Sequence, residues 1–144
     1  MTEPAASTAR LLPHSAPDES GARLLLLSVR RIGVGGLNDA HAASQMIGAF
    51  GLGFRRPLVL VRALMAELAR ASSRSIMIAP SCCCRMTMAE AMLVRAVAGA
   101  NSDPRAAHDR LCRLCGIETA IGVLSSAQAV AQAFADLGRP VEID

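Results

Sequence analysis

The segment PLVLVRALMAELAR, residues 57–70, places its three charged side chains, Arg62, Glu67 and Arg70, in one sector of a helical wheel and leaves the rest apolar. A helix with one wet stripe and a wide dry face must be covered on several sides. The rest of the chain therefore has to supply its partners. The side chains available for that are Leu, Ile, Val, Met and Ala: 52% of residues are hydrophobic, yet there is no Trp, no Tyr and only three Phe. Strand-rich domains lean on aromatic and β-branched residues, whereas an alanine- and leucine-rich set favours packed helices. The predicted fold is all-α, a compact bundle of five or six short helices with a Cys-rich irregular loop. At 144 residues the chain can bury one real core. Residues 1–18, which mix Pro4, Pro13 and Pro17 with Ser, Thr and Ala, read as a flexible N-terminal tail, and 19–144 as a single helical domain.

Local punctuation divides that domain. A first helix is predicted from about Glu19 to Arg31, where Gly33, Gly35 and Gly36 would break it. Asn38 or Asp39 can cap a second, from Ala40 to Phe50, before Gly51 and Gly53. Pro57 suits the first turn of the third, where its missing N–H would have no partner anyway. Thr87, with Glu90 three residues on, has the pattern of a capping box and opens a fourth helix to about Ala98. Asp103-Pro104 opens a fifth, which stops at Gly116, and a sixth is predicted from about Ser125 or slightly earlier to Leu137. Residues 72–86, SSRSIMIAPSCCCRM, fit no helix, although SIMIA could be extended.

The five cysteines concentrate the chemistry. Cys82, Cys83 and Cys84 are consecutive in the irregular stretch; Cys112 and Cys115 lie in the fifth helix. His108, Cys112 and Cys115 stand at i, i+4 and i+7, so they share a helical face. In an extended loop neighbouring side chains alternate, so Cys82 and Cys84 point one way and Cys83 the other. A soft metal needs thiolate or neutral imidazole converging tetrahedrally, with Zn–S near about 2.3 Å. Cys82, Cys84, Cys112 and Cys115 form the predicted ligand set, with His108 as substitute ligand or support. Such a site requires the two clusters to meet in space. Zinc would pin the loop to the fifth helix; an iron–sulfur cluster would respond to oxidation. Met77, Met86, Met88 and Met92 nearby would also suit Cu(I), which takes thiolate and thioether ligands. The competing interpretation is that these are packing residues, since free Cys is among the most buried residue types.

GAFGLGFRRPLVLVRALMAELARAS followed by APSCCCRMT resembles an uncharacterised family of small bacterial proteins that share a GFRRPLVL-type helix and a Cys-Cys-Cys stretch before Arg-Met-Thr. The resemblance covers about Asp39 to Glu90. In that pattern a proline often follows the cysteines, whereas here Arg85 does, which alters which thiols face inward. The family carries no assigned activity, so it transfers no catalytic residue and implies only that Cys82, Cys83 and Cys84 act as a group.

Other classes are disfavoured. The net charge of +3 comes from fifteen basic residues, all Arg, against twelve acidic ones, with no long basic run and no interleaved aromatics, so no nucleic-acid partner is expected. RLLLLSVRR is too short for a membrane span, and no basic n-region precedes an apolar stretch, so neither a membrane nor a secretory leader is expected. The cytoplasm is the expected compartment, where thiols stay reduced. GVGGLN, residues 33–38, lacks the third glycine of a dinucleotide loop, and no GxSxG is present. A thiol enzyme using Cys84 as nucleophile, with Cys83 or Cys115 resolving, lacks a recognisable base. The function predicted is a small cytoplasmic protein binding zinc or an iron–sulfur cluster in a structural or redox-sensing role. The alternative is a non-enzymatic helical interaction or oligomerisation module. The apolar content also predicts a homo-oligomer or a protein partner.

Overall fold

The computed structural model of the protein describes residues 12–143. They form six α-helices: α1 (Ser20–Gly35), α2 (Ala40–Phe50), α3 (Arg55–Ala71), α4 (Met88–Gly99), α5 (Pro104–Cys115) and α6 (Ile121–Asp136). Two short strands, β1 (His14–Ser15) and β2 (Arg85–Met86), pair antiparallel, with His14 opposite Met86 and Ser15 opposite Arg85. The all-α bundle expected from the apolar periodicity is the observed architecture.

The dry face of α3 is buried through Leu58, Val61, Leu64 and Leu68, and its most extensive neighbour is α6. That helix answers with Val123, Ala127, Val130 and Phe134 at matching helical spacing. Phe134 meets Phe50 of α2 edge-on, with ring centroids 5.2 Å apart. The closest other pairing is α4 with α5, and α1 lies against α2, α3 and α4. One continuous apolar core results.

The caps fall where the sequence places them. The Asp39 carboxylate accepts from the Ala42 N–H at 3.0 Å, and Asp103 from that of Ala106 at 3.2 Å. Thr87 and Glu90 complete the capping box reciprocally: Thr87 Oγ1 accepts from Glu90 N at 3.0 Å and Glu90 Oε1 from Thr87 N at 2.9 Å.

Two boundaries differ from expectation, each for a packing reason, while the start of α3 keeps Pro57 where it was expected. Helix α1 runs through Gly33 and Gly35 and ends only at Gly36, whose φ is +89°. Gly35 is there for proximity, since a Cβ on it would sit 2.1 Å from Asp39 Oδ1. Helix α3 starts at Arg55, two residues before Pro57, so the proline is still in the first turn. Helix α6 begins at Ile121, ahead of Ser125, because its first turn buries Val123 and its entry is held by a side chain of α5.

Of the segment predicted as a tail, residues 1–11 lie outside the described residues. From Leu12 onward it is held: Arg85 donates to the Leu12 and Pro13 carbonyls at 2.8 and 3.0 Å, and Ala16 N donates to Cys84 O at 3.1 Å. At the other end Glu142 N reaches Glu19, the cap of α1. No helix among the described residues is long and apolar enough to cross a membrane.

Candidate functional site: the triple-cysteine loop

Residues 72–87 cross from α3 to α4 without regular structure apart from β2, and a loop of this length carries many backbone groups in need of partners. A buried arginine supplies them. Arg30, on α1 and 1% exposed, forks onto Glu90 with Nε 2.8 Å from Oε2 and Nη2 3.1 Å from Oε1. The same guanidinium donates from Nη1 to Cys83 O and from Nη2 to Arg85 O, both at 2.7 Å. Glu90 in turn accepts from Ala79 N at 3.2 Å, beyond its capping-box bond to Thr87 N. Thr87 Oγ1 donates to Met77 O at 2.8 Å, and Cys83 N to Pro80 O at 3.1 Å. One ion pair therefore fixes the loop backbone at Ala79, Cys83, Arg85 and Thr87.

The thiols emerge from this frame in alternation. Cys82 and Cys84 are exposed, and Cys83, whose carbonyl is tied to Arg30, is half-buried. They border a cavity of about 240 Å³ between the loop, Pro17–Asp18 and the α1 residues Arg23, Leu26 and Leu27. Arg23 and Asp18 both line this cavity, and the Arg30 guanidinium that reaches it is already paired with Glu90.

The second predicted cluster has a different character. His108 Nε2 accepts the Ala120 N–H at 3.0 Å, so in the neutral ring the proton sits on Nδ1. Cys112 Sγ lies 3.7 Å from Nδ1 and 3.6 Å from Nε2, nearly equidistant, which puts it beside the ring and not in line with either nitrogen. Its S–H points to the Glu118 carbonyl at 3.5 Å. Cys115 is fully buried. Burial pushes its thiol pKa up; Cys112 adds to the rise, and the nearby Ser72 hydroxyl and Arg74 pull the other way without offsetting it. These residues organise the turn from α5 into α6.

Among the described residues, no group of three or more His, Cys, Asp or Glu side chains has the arrangement to hold a metal ion. Cys82 and Cys84 are thus not gathered with Cys112, Cys115 and His108 into one ligand set within the chain. All five cysteines are free thiols. Arg30 escaped the sequence reading, although a signal existed: it falls four residues after Leu26 and one after Val29, on the dry side of α1.

Among the described residues, fold and loop together define a compact six-helix body that displays unpaired cysteines on an internally braced surface loop. The chain belongs to a family of unknown function, DUF6628, whose model matches residues 1–136. No curated protein and no solved structure matches it.

Proposed function

We propose that the protein binds a soft metal ion, zinc in the first instance, through Cys82 and Cys84, and that the same two residues of a second copy complete the site. The observation that carries this reading is the use of a buried Arg30–Glu90 pair to fix a loop whose two outward thiols have no internal role. Buried ion pairs contribute little net stability against an apolar alternative, so their use is better understood as holding one conformation. Two thiols on a surface are half of a tetrahedral set. A twofold axis through the loop would supply the other half with matched geometry. The four-thiolate zinc centre is a dianion, and Arg23 from each copy lines the cavity that the thiols border, as does Asp18.

The test is titration of the reduced protein with Zn²⁺, followed by sedimentation. Half an equivalent per chain, a dimer that chelator dissolves, and loss of both in Cys82→Ser/Cys84→Ser are expected, with Cys112→Ser unaffected. One equivalent on a monomer would keep the loop as ligand and remove the second copy. No binding would overturn the reading.

A second reading, a helical interaction module, is favoured by the apolar side chains left in solvent: Leu52 is 101% exposed, Val34 80% and Ile121 62%. It predicts association that persists in chelator and in the Cys82→Ser/Cys84→Ser variant.

A further inference from the structure

A cavity of about 330 Å³ opens between α1, α3, α4 and the first half of the loop, and it shares no lining residue with the thiol site. Its walls are apolar: Met65 and Leu68 from α3, Ile76 and Ile78 from the loop, and Leu93 from α4. Leu68 and Leu93 are buried, whereas Met65, Ile76 and Ile78 are only half-buried, because the cavity leaves part of each uncovered. The rim is polar and carries Ser72, Arg74 and Ser75.

Two features distinguish this space from a packing defect. The Ser72 hydroxyl is buried beside the Cys115 thiol, and a thiol is a weak hydrogen-bond partner. A buried hydroxyl left with only a weak partner is costly, and a bound acceptor would relieve it. Arg74 makes no ion pair or hydrogen bond among the described residues. Its guanidinium packs on Gly116 at the end of α5, where a Cβ would lie 2.6 Å from Arg74 Nε. No Asp or Glu lines the cavity to neutralise it.

We infer that this cavity is a binding site for a small amphipathic carboxylate, a medium-length acyl chain whose head meets Arg74 and the Ser72 hydroxyl. A guanidinium accepts a carboxylate through two parallel hydrogen bonds. One cation with flanking hydroxyls suits a monoanion better than a phosphate. An apolar pocket of this size with a few convergent polar groups is the usual form of a small-molecule site.

Octanoate is the probe, with octan-1-ol as its neutral counterpart, titrated into the full chain while methyl signals are followed by NMR. Octanoate should bind saturably and shift the methyls of Met65, Leu68, Ile78 and Leu93. Arg74→Gln should weaken octanoate about tenfold or more while leaving octan-1-ol unchanged. Ala69→Phe, at an exposed rim position, should block both ligands. Both variants alter exposed residues, and far-UV circular dichroism verifies their fold. The inference is overturned if octanoate produces no saturable shift of those methyls, if Arg74→Gln binds it as the parent does, or if Ala69→Phe leaves binding intact.

Discussion

Arg30 and Glu90, sixty residues apart in the chain, meet in the interior with Nε 2.8 Å from Oε2 and side chains 1% and 0% exposed. The pair joins α1 to α4 and also carries the backbone of the loop between α3 and α4. Removing either partner alone leaves a buried charge, so Arg30→Met or Glu90→Gln should each cost about 3–5 kcal/mol in urea unfolding. The double variant Arg30→Met/Glu90→Met should recover much of that loss. It should not recover the loop, because Ala79 N, Cys83 O and Arg85 O lose their partners in any case. Hydrogen exchange over 77–87 would then be fast in a protein of near-normal stability. Slow exchange there in the double variant would show that the pair does not shape the loop.

The thiols should react in a fixed order. Cys82 and Cys84 are exposed, Cys112 is partly covered beside His108, and Cys115 is buried with its thiol pushed up by that burial. The thiolate is the reacting form, so a covered thiol of raised pKa is slow on both counts. Alkylation followed by mass spectrometry should label Cys82 and Cys84 first and Cys115 only as the protein unfolds. Labelling of Cys115 as fast as Cys82 in the native protein would contradict the burial argument.

The fold was legible in the sequence because its signals are local. Asp39, Thr87-Glu90 and Asp103-Pro104 announce helix starts by side-chain chemistry within three residues of the cap, and all three act as written. The dry face of α3 is equally local, being a matter of spacing. What was not legible is long-range. Glu90 reads as a capping residue, and only the packing of α1 on α4 reveals that its carboxylate also meets Arg30. His108, Cys112 and Cys115 share a helical face as the spacing requires. What lies opposite that face depends on tertiary contacts, and it is the turn at Glu118–Ala120, not Cys82 and Cys84.

Stability in acid should depend on Glu19. Burial raises its pKa, but the N–H groups of Gly21, Ala22 and Glu142, together with the Ser20 hydroxyl, outweigh burial and hold the carboxyl below its ordinary value. A lowered folded pKa contributes stability that is present above the unfolded value, about pH 4.3, and is lost as pH falls through the folded value. Glu19→Gln should therefore lower stability at neutral pH and flatten the acid limb of the stability curve. Asp136 is lowered chiefly by its hydrogen bond from Arg56, an exposed pair that salt screens. The Glu19 contribution rests on uncharged donors, backbone N–H groups and the Ser20 hydroxyl, so it should survive high salt. An acid limb in Glu19→Gln identical to that of the parent would refute the assignment.

His108 offers the sharpest division between a ligand and a structural histidine. Helix α6 starts at Ile121 with no side-chain cap of its own, because Ala120 precedes it. The Ala120 N–H is instead taken by His108 Nε2 at 3.0 Å, and Ala120 is only 3% exposed, so water cannot easily replace the ring. His108→Ala orphans a buried donor and should cost about 1–3 kcal/mol. The same change removes the ring beside Cys112 Sγ, so hydrogen exchange over 117–124 should quicken while α3 stays protected. Zinc uptake should remain at half an equivalent per chain, because the thiols of Cys82 and Cys84 are untouched. A variant of undiminished stability that no longer takes up zinc would reverse the assignment and make His108 a ligand.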